Sequence, residues 1–183
     1  MKMISREVIL RAAEQLIEER GVEKTTLTQV AEHLGVSHAA LYKYFKNKED
    51  LWTTVATNWL NRVLISVFQF NPKGYTSKID ILHDWLWEII RCKKQSFDSN
   101  KRMFTLYTTY ISENTVLEEK HIKELLEKMS SLLCHPEKDN LLIILEIFAV
   151  FLSPTFAKTW DNNLQVRFEM TWEFIQPSLA QYI

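Results

Sequence analysis

Residues 25–51 read Thr25-Thr26-Leu27-Thr28-Gln29-Val30-Ala31-Glu32-His33-Leu34-Gly35-Val36-Ser37-His38-Ala39-Ala40-Leu41-Tyr42-Lys43-Tyr44-Phe45-Lys46-Asn47-Lys48-Glu49-Asp50-Leu51, and this stretch decides the fold. Thr26 followed three residues later by Gln29 is a capping-box pattern, so a helix starts there. It buries Leu27, Val30, Ala31 and Leu34 before Gly35 ends it after about two turns. A third helix starts at Ser37 as N-cap, with Val36 and Leu41 placed to form a hydrophobic staple. Upstream, Ile9, Ala12, Ala13, Leu16 and Ile17 recur on one face between a Ser5 cap and Gly21, which predicts a longer supporting helix. Two short helices around a glycine turn, behind a longer one, form a helix-turn-helix, the arrangement that lays its later helix in the major groove of DNA. The spacing alone also fits a helical hairpin that only packs.

The rest of the composition agrees with long helices. Three glycines and four prolines in 183 residues are too few for a strand-rich fold with many tight turns, and 46% apolar residues suffice for a core. A formal net charge of −1 argues against broad polyanion coating, so any nucleic-acid contact has to come from a local basic cluster. Cys92 and Cys134 lack CxxC spacing and imply no disulfide framework. The most apolar segment, Leu141 to Leu152, is too short to span a bilayer and contains Glu146, and the charged amino terminus does not suit export, so a cytoplasmic location without membrane partners is expected.

The runs Thr25 to Ala31, Leu34 to Ser37 and Leu41 to Leu51 resemble, in order and spacing, the signature of the TetR family of transcriptional repressors. The likeness covers about the first quarter of the chain. It implies an all-α protein: a three-helix helix-turn-helix DNA-binding domain over residues 1–48, then a helical bundle over 49–183 that binds a small-molecule effector and forms a homodimer. The residues support this independently. With Leu41 and Phe45 facing inward, Ala39, Tyr42 and Lys43 turn outward, and His38 lies near the exposed start of the helix. Ala39 and Ala40 lack bulk, so the helix can lie deep and touch thymine methyls. Tyr42 and Tyr44 resemble the family's aromatic positions that contact the sugar-phosphate backbone. No Asp or Glu occurs between His33 and Lys48, whereas Lys43, Lys46 and Lys48 bring three positive charges. Lys48 matches the family's lysine at the start of the fourth helix, and Thr26 and Thr28 can meet phosphate on the other side of the groove. The DNA-facing set is therefore Thr26, Thr28, Ser37, His38, Ala39, Ala40, Tyr42, Lys43, Tyr44 and Lys48. The plainer reading makes Thr26 only a cap and the lysines a solvated face.

Beyond Lys48 the pattern predicts helices at 49–70, 77–97, 100–112, 115–133, 137–160 and 163–181, with Asn47 capping the first. Leu141 to Leu152 is apolar on nearly every face. The last helix carries two stripes, Leu164-Phe168-Trp172 and Val166-Met170-Phe174, so one can face the core and the other a partner. A four-helix dimer interface using Phe148, Phe151, Val166, Met170 and Phe174 would bury both, and it is the arrangement the resemblance implies. A thick monomeric core is the alternative. A dimer would read a near-palindromic double-stranded operator. Trp59, Trp85, Trp87, Met103, Tyr107 and Tyr110 are the candidate effector-binding residues, although aromatics at helical spacing are more often core. No phosphate loop, GxSxG turn or zinc motif occurs, and Cys134-His135 with His121 matches no ligand spacing, so neither catalytic residues, metal nor cofactor is expected. The competing functions are a helical protein-interaction module that never touches DNA and an activator of the same family.

Overall fold

A computed structural model describes residues 4–179 and 181–183. Among these residues the chain is all-α. α1 (Arg6–Arg20) starts where Ser5 Oγ accepts from the Val8 amide. α2 (Leu27–Leu34) carries the full capping box: Thr26 Oγ accepts from Gln29 N, and Gln29 Oε1 accepts from Thr26 N at 2.9 Å. Gly35 ends it at φ 67°, ψ 36°, the left-handed conformation that glycine adopts without penalty.

α3 (His38–Leu41) is a single turn, extended by hydrogen bonds from Tyr44 N and Phe45 N to the Leu41 carbonyl. Ser37 holds the N-cap position with extended backbone, but its side chain makes no capping bond, which corrects the expected cap. α4 (Lys48–Val63) is capped by Asn47, whose Oδ1 accepts from Asp50 N at 2.7 Å, while Asp50 Oδ2 accepts from Lys46 N at 2.8 Å.

The remaining elements are α5 (Ile65–Phe68), α6 (Lys78–Ser99), α7 (Lys101–Tyr107) continued by a π-turn (Thr108–Ser112), α8 (Thr115–Leu132), α9 (Lys138–Ile147), α10 (Ala149–Leu152), a 3₁₀ turn (Pro154–Thr159) and α11 (Leu164–Leu179). The helix expected over 137–160 is thus three pieces. Pro154 lacks an N–H and forces Ser153 into extended backbone at ψ 131°. The helix expected over 49–70 breaks at Leu64. Residue 180, inside the helix expected over 163–181, lies outside the described residues.

Packing divides the chain into two units: one runs up to Arg62 and takes in Asp98–Thr115, the other comprises Val63–Phe97 and the residues from Val116 onward. In the first, α1 packs on α2 and α7, and α2 on α3. Trp59 of α4 lies 6.5 Å from Phe104 and 6.2 Å from Tyr107, between ring centroids. In the second, Phe148, Phe151, Phe168 and Trp172 form an aromatic core with centroids 5.7–6.3 Å apart.

That core corrects two expected interface residues. Phe148 is fully buried and Phe151 is 4% exposed within their own unit, so neither presents an exposed apolar face to a partner. Val166, Met170 and Phe174 are 57%, 65% and 88% exposed, so of the two stripes on α11 this one is unpartnered in the single chain. Leu142, Ile143, Ile147 and Val150 are the exposed apolar residues of α9 and α10. No described helix is long and apolar enough to cross a membrane.

Candidate nucleic-acid interface

The helix-turn-helix is built from the inside. Leu27, Val30, Ala31, Leu41 and Phe45 are buried with Ile9, Ala13 and Ile17 of α1, which fixes the angle between the short helices. Thr25, fully buried, donates its hydroxyl to the Gly21 carbonyl at 2.7 Å and ties the α1–α2 connection. Arg6 lies 4.6 Å over the Phe45 ring and reaches Thr54 Oγ1 on α4.

What these contacts leave outside is the polar set. Thr26, Thr28, Ser37, His38, Ala39, Tyr42, Lys43, Lys46 and Lys48 are exposed, and Ala40 and Tyr44 half-buried. His38 and Tyr42, one turn apart, meet edge to face at 5.2 Å, so each ring restrains the other on the exposed side of α3. Thr26 accepts the Gln29 amide at its oxygen, a bond that does not use its hydroxyl proton, so capping and phosphate contact are compatible. Lys48 stands at the first position of α4 with its ammonium 6.0 Å from the Trp52 ring.

Tyr44 differs from its expected role. Its hydroxyl donates to the Ile4 carbonyl, so the proton expected to meet a phosphate is committed within the protein. Nothing in residues 41–51 signals this, because the acceptor lies forty positions away.

The six expected effector residues fall in both units. Trp59, Met103 and Tyr107 are buried in the first and Trp85 in the second, where its indole N–H donates to the Val67 carbonyl at 3.2 Å. Trp87 is half-buried against Phe168, and Tyr110 is half-buried in the π-turn. A cleft in the second unit is lined instead by Val150, Phe151, Thr159, Leu164, Arg167, Met170 and Thr171. Among the described residues no three His, Cys, Asp or Glu side chains converge as a metal set, and His135 Nδ1 lies 3.1 Å from Ser130 Oγ.

The family description "Bacterial regulatory proteins, tetR family" matches residues 9–53, the segment whose buried and exposed faces are set out above. Residues 9–53 thus match the amino-terminal domain of the TetR family. Over 51 residues it is 45% identical to the HTH-type transcriptional repressor BepR of Brucella suis, a match covering 28% of this chain and 24% of BepR. The chain therefore spans about a quarter of that relative's length. The fold extends further than the sequence likeness. The TetR-family repressor AlkX from Dietzia sp. strain DQ12-45-1b superposes with a TM-score of 0.66 over 100% of this chain and 98% of its own, at 18% identity. BioQ, in a crystal structure with its double-stranded DNA operator, gives 0.58 over 98% and 100%, at 14% identity. The TetR fold, an amino-terminal helix-turn-helix followed by a helical domain, thus accounts for the whole chain.

Proposed function

We propose that this chain is a homodimeric transcriptional repressor, acting in the cytoplasm, whose residues 1–48 bind a near-palindromic DNA operator and whose residues 49–183 release it on binding a small apolar or aromatic effector. The observation that carries the reading is the acid-free run from Ser37 to Lys48, whose polar side chains lie outside a largely apolar helix-turn-helix core, in a segment that matches a family described as regulatory proteins. His38, Ala39 and Ala40 contact bases. Tyr42, Lys43, Lys48, Thr26 and Thr28 contact phosphate and set register, and Ser37 lies at the start of the same face. The dimer face combines Val166, Met170 and Phe174 with the exposed apolar row of α9 and α10. Two such chains read half-sites about 34–36 Å apart. Of the effector candidates, Trp87 and Tyr110 are the half-buried ones, able to meet a ligand without opening a core. α4 starts at Lys48, so its tilt alters the separation of recognition helices; a differential of about 1–3 kcal/mol changes operator affinity roughly 5–150-fold.

Selection of bound DNA from a random pool, followed by titration of two variants, tests the reading. Lys48→Ala is expected to weaken all sequences alike and lower the slope of log affinity against log salt by about one. His38→Ala is expected to reorder base preference by about 1–3 kcal/mol at one position. A chain that selects no DNA even at low salt is an interaction module instead, and a Lys48→Ala variant that reorders operators while His38→Ala does not reverses the assigned roles.

A further inference from the structure

Two apolar stripes in the second unit are interrupted by nitrogen-bearing side chains. On α6 the buried series Leu82, Leu86, Ile89 continues, at helical spacing, as Lys93 and Ser96. On α8 the buried series is His121, Leu125, Met129, Leu132. Lys93 is 3% exposed and His121 9%. The Lys93 ammonium donates to the Leu152 carbonyl at the end of α10, at 2.9 Å. His121 Nε2 is buried with no hydrogen-bond partner. Ser96 spends its hydroxyl on the Lys93 carbonyl in its own turn. Burial and then the nearby Lys93 charge push His121 down to about 3, so the imidazole is neutral and carries one N–H; burial pushes Lys93 down to about 8, opposed by Glu118, so it keeps its charge at neutral pH.

Stability alone does not account for this pair, because alkyl side chains at both positions would pack without the cost of burying an ammonium and an unsatisfied ring nitrogen. We propose that Lys93 Nζ and His121, in the tautomer that carries its proton on Nε2, bind the carboxylate of a small organic acid whose body is apolar. The proposal names the chemical class of the effector and in that sense rests on the ligand-responsive reading above.

The charge argues for a carboxylate over a phosphate or sulfate ester. One ammonium and one neutral N–H offer a single positive charge and two donors, which match a monoanion with two acceptor oxygens. Glu118, half-buried on α8 and already acting on Lys93, makes a dianion worse still. The surroundings supply the apolar body's contacts: Phe97, one turn beyond Lys93, meets Trp160 edge to face at 6.2 Å. α10, which lies over Lys93, is four residues long, with non-helical Phe148 before it and extended Ser153 after it. A carboxylate taking the ammonium from the Leu152 carbonyl frees the end of α10, whose Val150 lies in the proposed dimer face. An acid bound here would thus act on dimer geometry.

The test uses the full chain without DNA, with decanoate and phenylacetate as probes and decanol and 2-phenylethanol as their neutral counterparts, read by tryptophan fluorescence titration. At least one acid is expected to bind about tenfold or more tighter than its alcohol, the size of a charge-assisted hydrogen bond. Lys93→Met is expected to remove that preference while leaving alcohol affinity within about twofold. ¹⁵N-histidine spectra of the unaltered protein give a second readout: the His121 Nε2 resonance shifts with the acid and not with the alcohol. No binding by either acid, equal binding of acid and alcohol, a preference that survives Lys93→Met, or an unmoved His121 resonance each overturns the proposal. Operator affinity is measured separately. A chain that binds no DNA yet discriminates acid from alcohol through Lys93 refutes the repressor reading and supports the site.

Discussion

Replacing His121 by Leu is expected to make the protein markedly less sensitive to acid. The imidazole is held neutral in the fold, at about 3, because its surroundings exclude water and Lys93 repels a second positive charge, whereas the unfolded chain takes up a proton near 6.5. Folded-state depression means that the neutral ring favours the fold fully above the unfolded value, and that this contribution is lost as pH falls toward the folded value. At about pH 5 the unfolded state is favoured by about 2 kcal/mol relative to about pH 8, a figure that depends only on the folded value lying well below 5. Continued to the folded value, the loss reaches roughly 5 kcal/mol, comparable with the whole stability of many domains. Urea unfolding of wild type and His121→Leu across this range isolates the effect, since His83 and the carboxylates are common to both chains. The stability advantage of the variant should grow by about 2 kcal/mol between about pH 8 and about pH 5, with the dependence on urea unchanged. A constant difference would show that the ring reaches water or an acceptor and would refute the burial argument.

Met170→Lys should yield a monomer in sedimentation that keeps the stability of the single chain within about 0.5 kcal/mol, because Met170 is exposed, and loses at least about 100-fold in operator affinity; a variant that remains dimeric moves the interface off α11. Thr25→Val should cost about 1–2 kcal/mol in urea unfolding, since it removes the buried donor to the Gly21 carbonyl while keeping the shape; unchanged stability would show that the bond is replaced. His83 lies 2.7 Å from Asp84 and 2.9 Å from Glu169, and although burial pulls its pKa down, those two hydrogen bonds and charges raise it on balance. Its contribution is therefore present below the unfolded value and lost as pH rises through the folded one. His83→Phe should lower Tm more at about pH 6 than at about pH 9, and the opposite ordering would contradict the ion-pair account.

The parts legible in the sequence are those governed by neighbours in the chain. Ser5, Thr26 with Gln29, Gly35 and Asn47 mark helix ends through bonds spanning three or four residues, and all four act at the places their types suggest. Pro154 was equally local evidence for a break, but the apolar run around it hid the signal behind a continuous helical pattern. Contacts between distant residues were not legible: Tyr44 with Ile4, or Trp85 with Val67. Nor was the orientation of Leu141 to Leu152, since a segment apolar on nearly every side, broken by Glu146 alone, does not say which of its other sides is core. Only packing against Phe168 and Trp172 assigns Phe148 and Phe151 inward. Lys93 did leave a trace, as a lysine on the stripe Leu82, Leu86, Ile89, where an apolar residue was due.

How a signal from residues 49–183 would reach α3 is constrained by ties within the first unit. Arg102 donates to the Glu18 and Glu19 carbonyls at 2.6 Å each, and Asn100 donates to the Glu18 side chain, so the residues directly after α6 satisfy the acceptors at the carboxyl end of α1. α1 is tied to α4 at two points, through Arg6 to Thr54 and Arg62 to Glu14. Each bond is exposed and contributes little alone, but together they cross-link α1, α4 and α7 around one apolar core. A displacement arriving through α4 or through the end of α6 therefore meets a braced body. Bending the helix-turn-helix would break these bonds and its core packing together, whereas rotating it together with α4 and α7 as one piece breaks neither. Of the two ways an effector could weaken operator binding, distorting each recognition helix or changing the distance between two intact ones, this bracing favours the second.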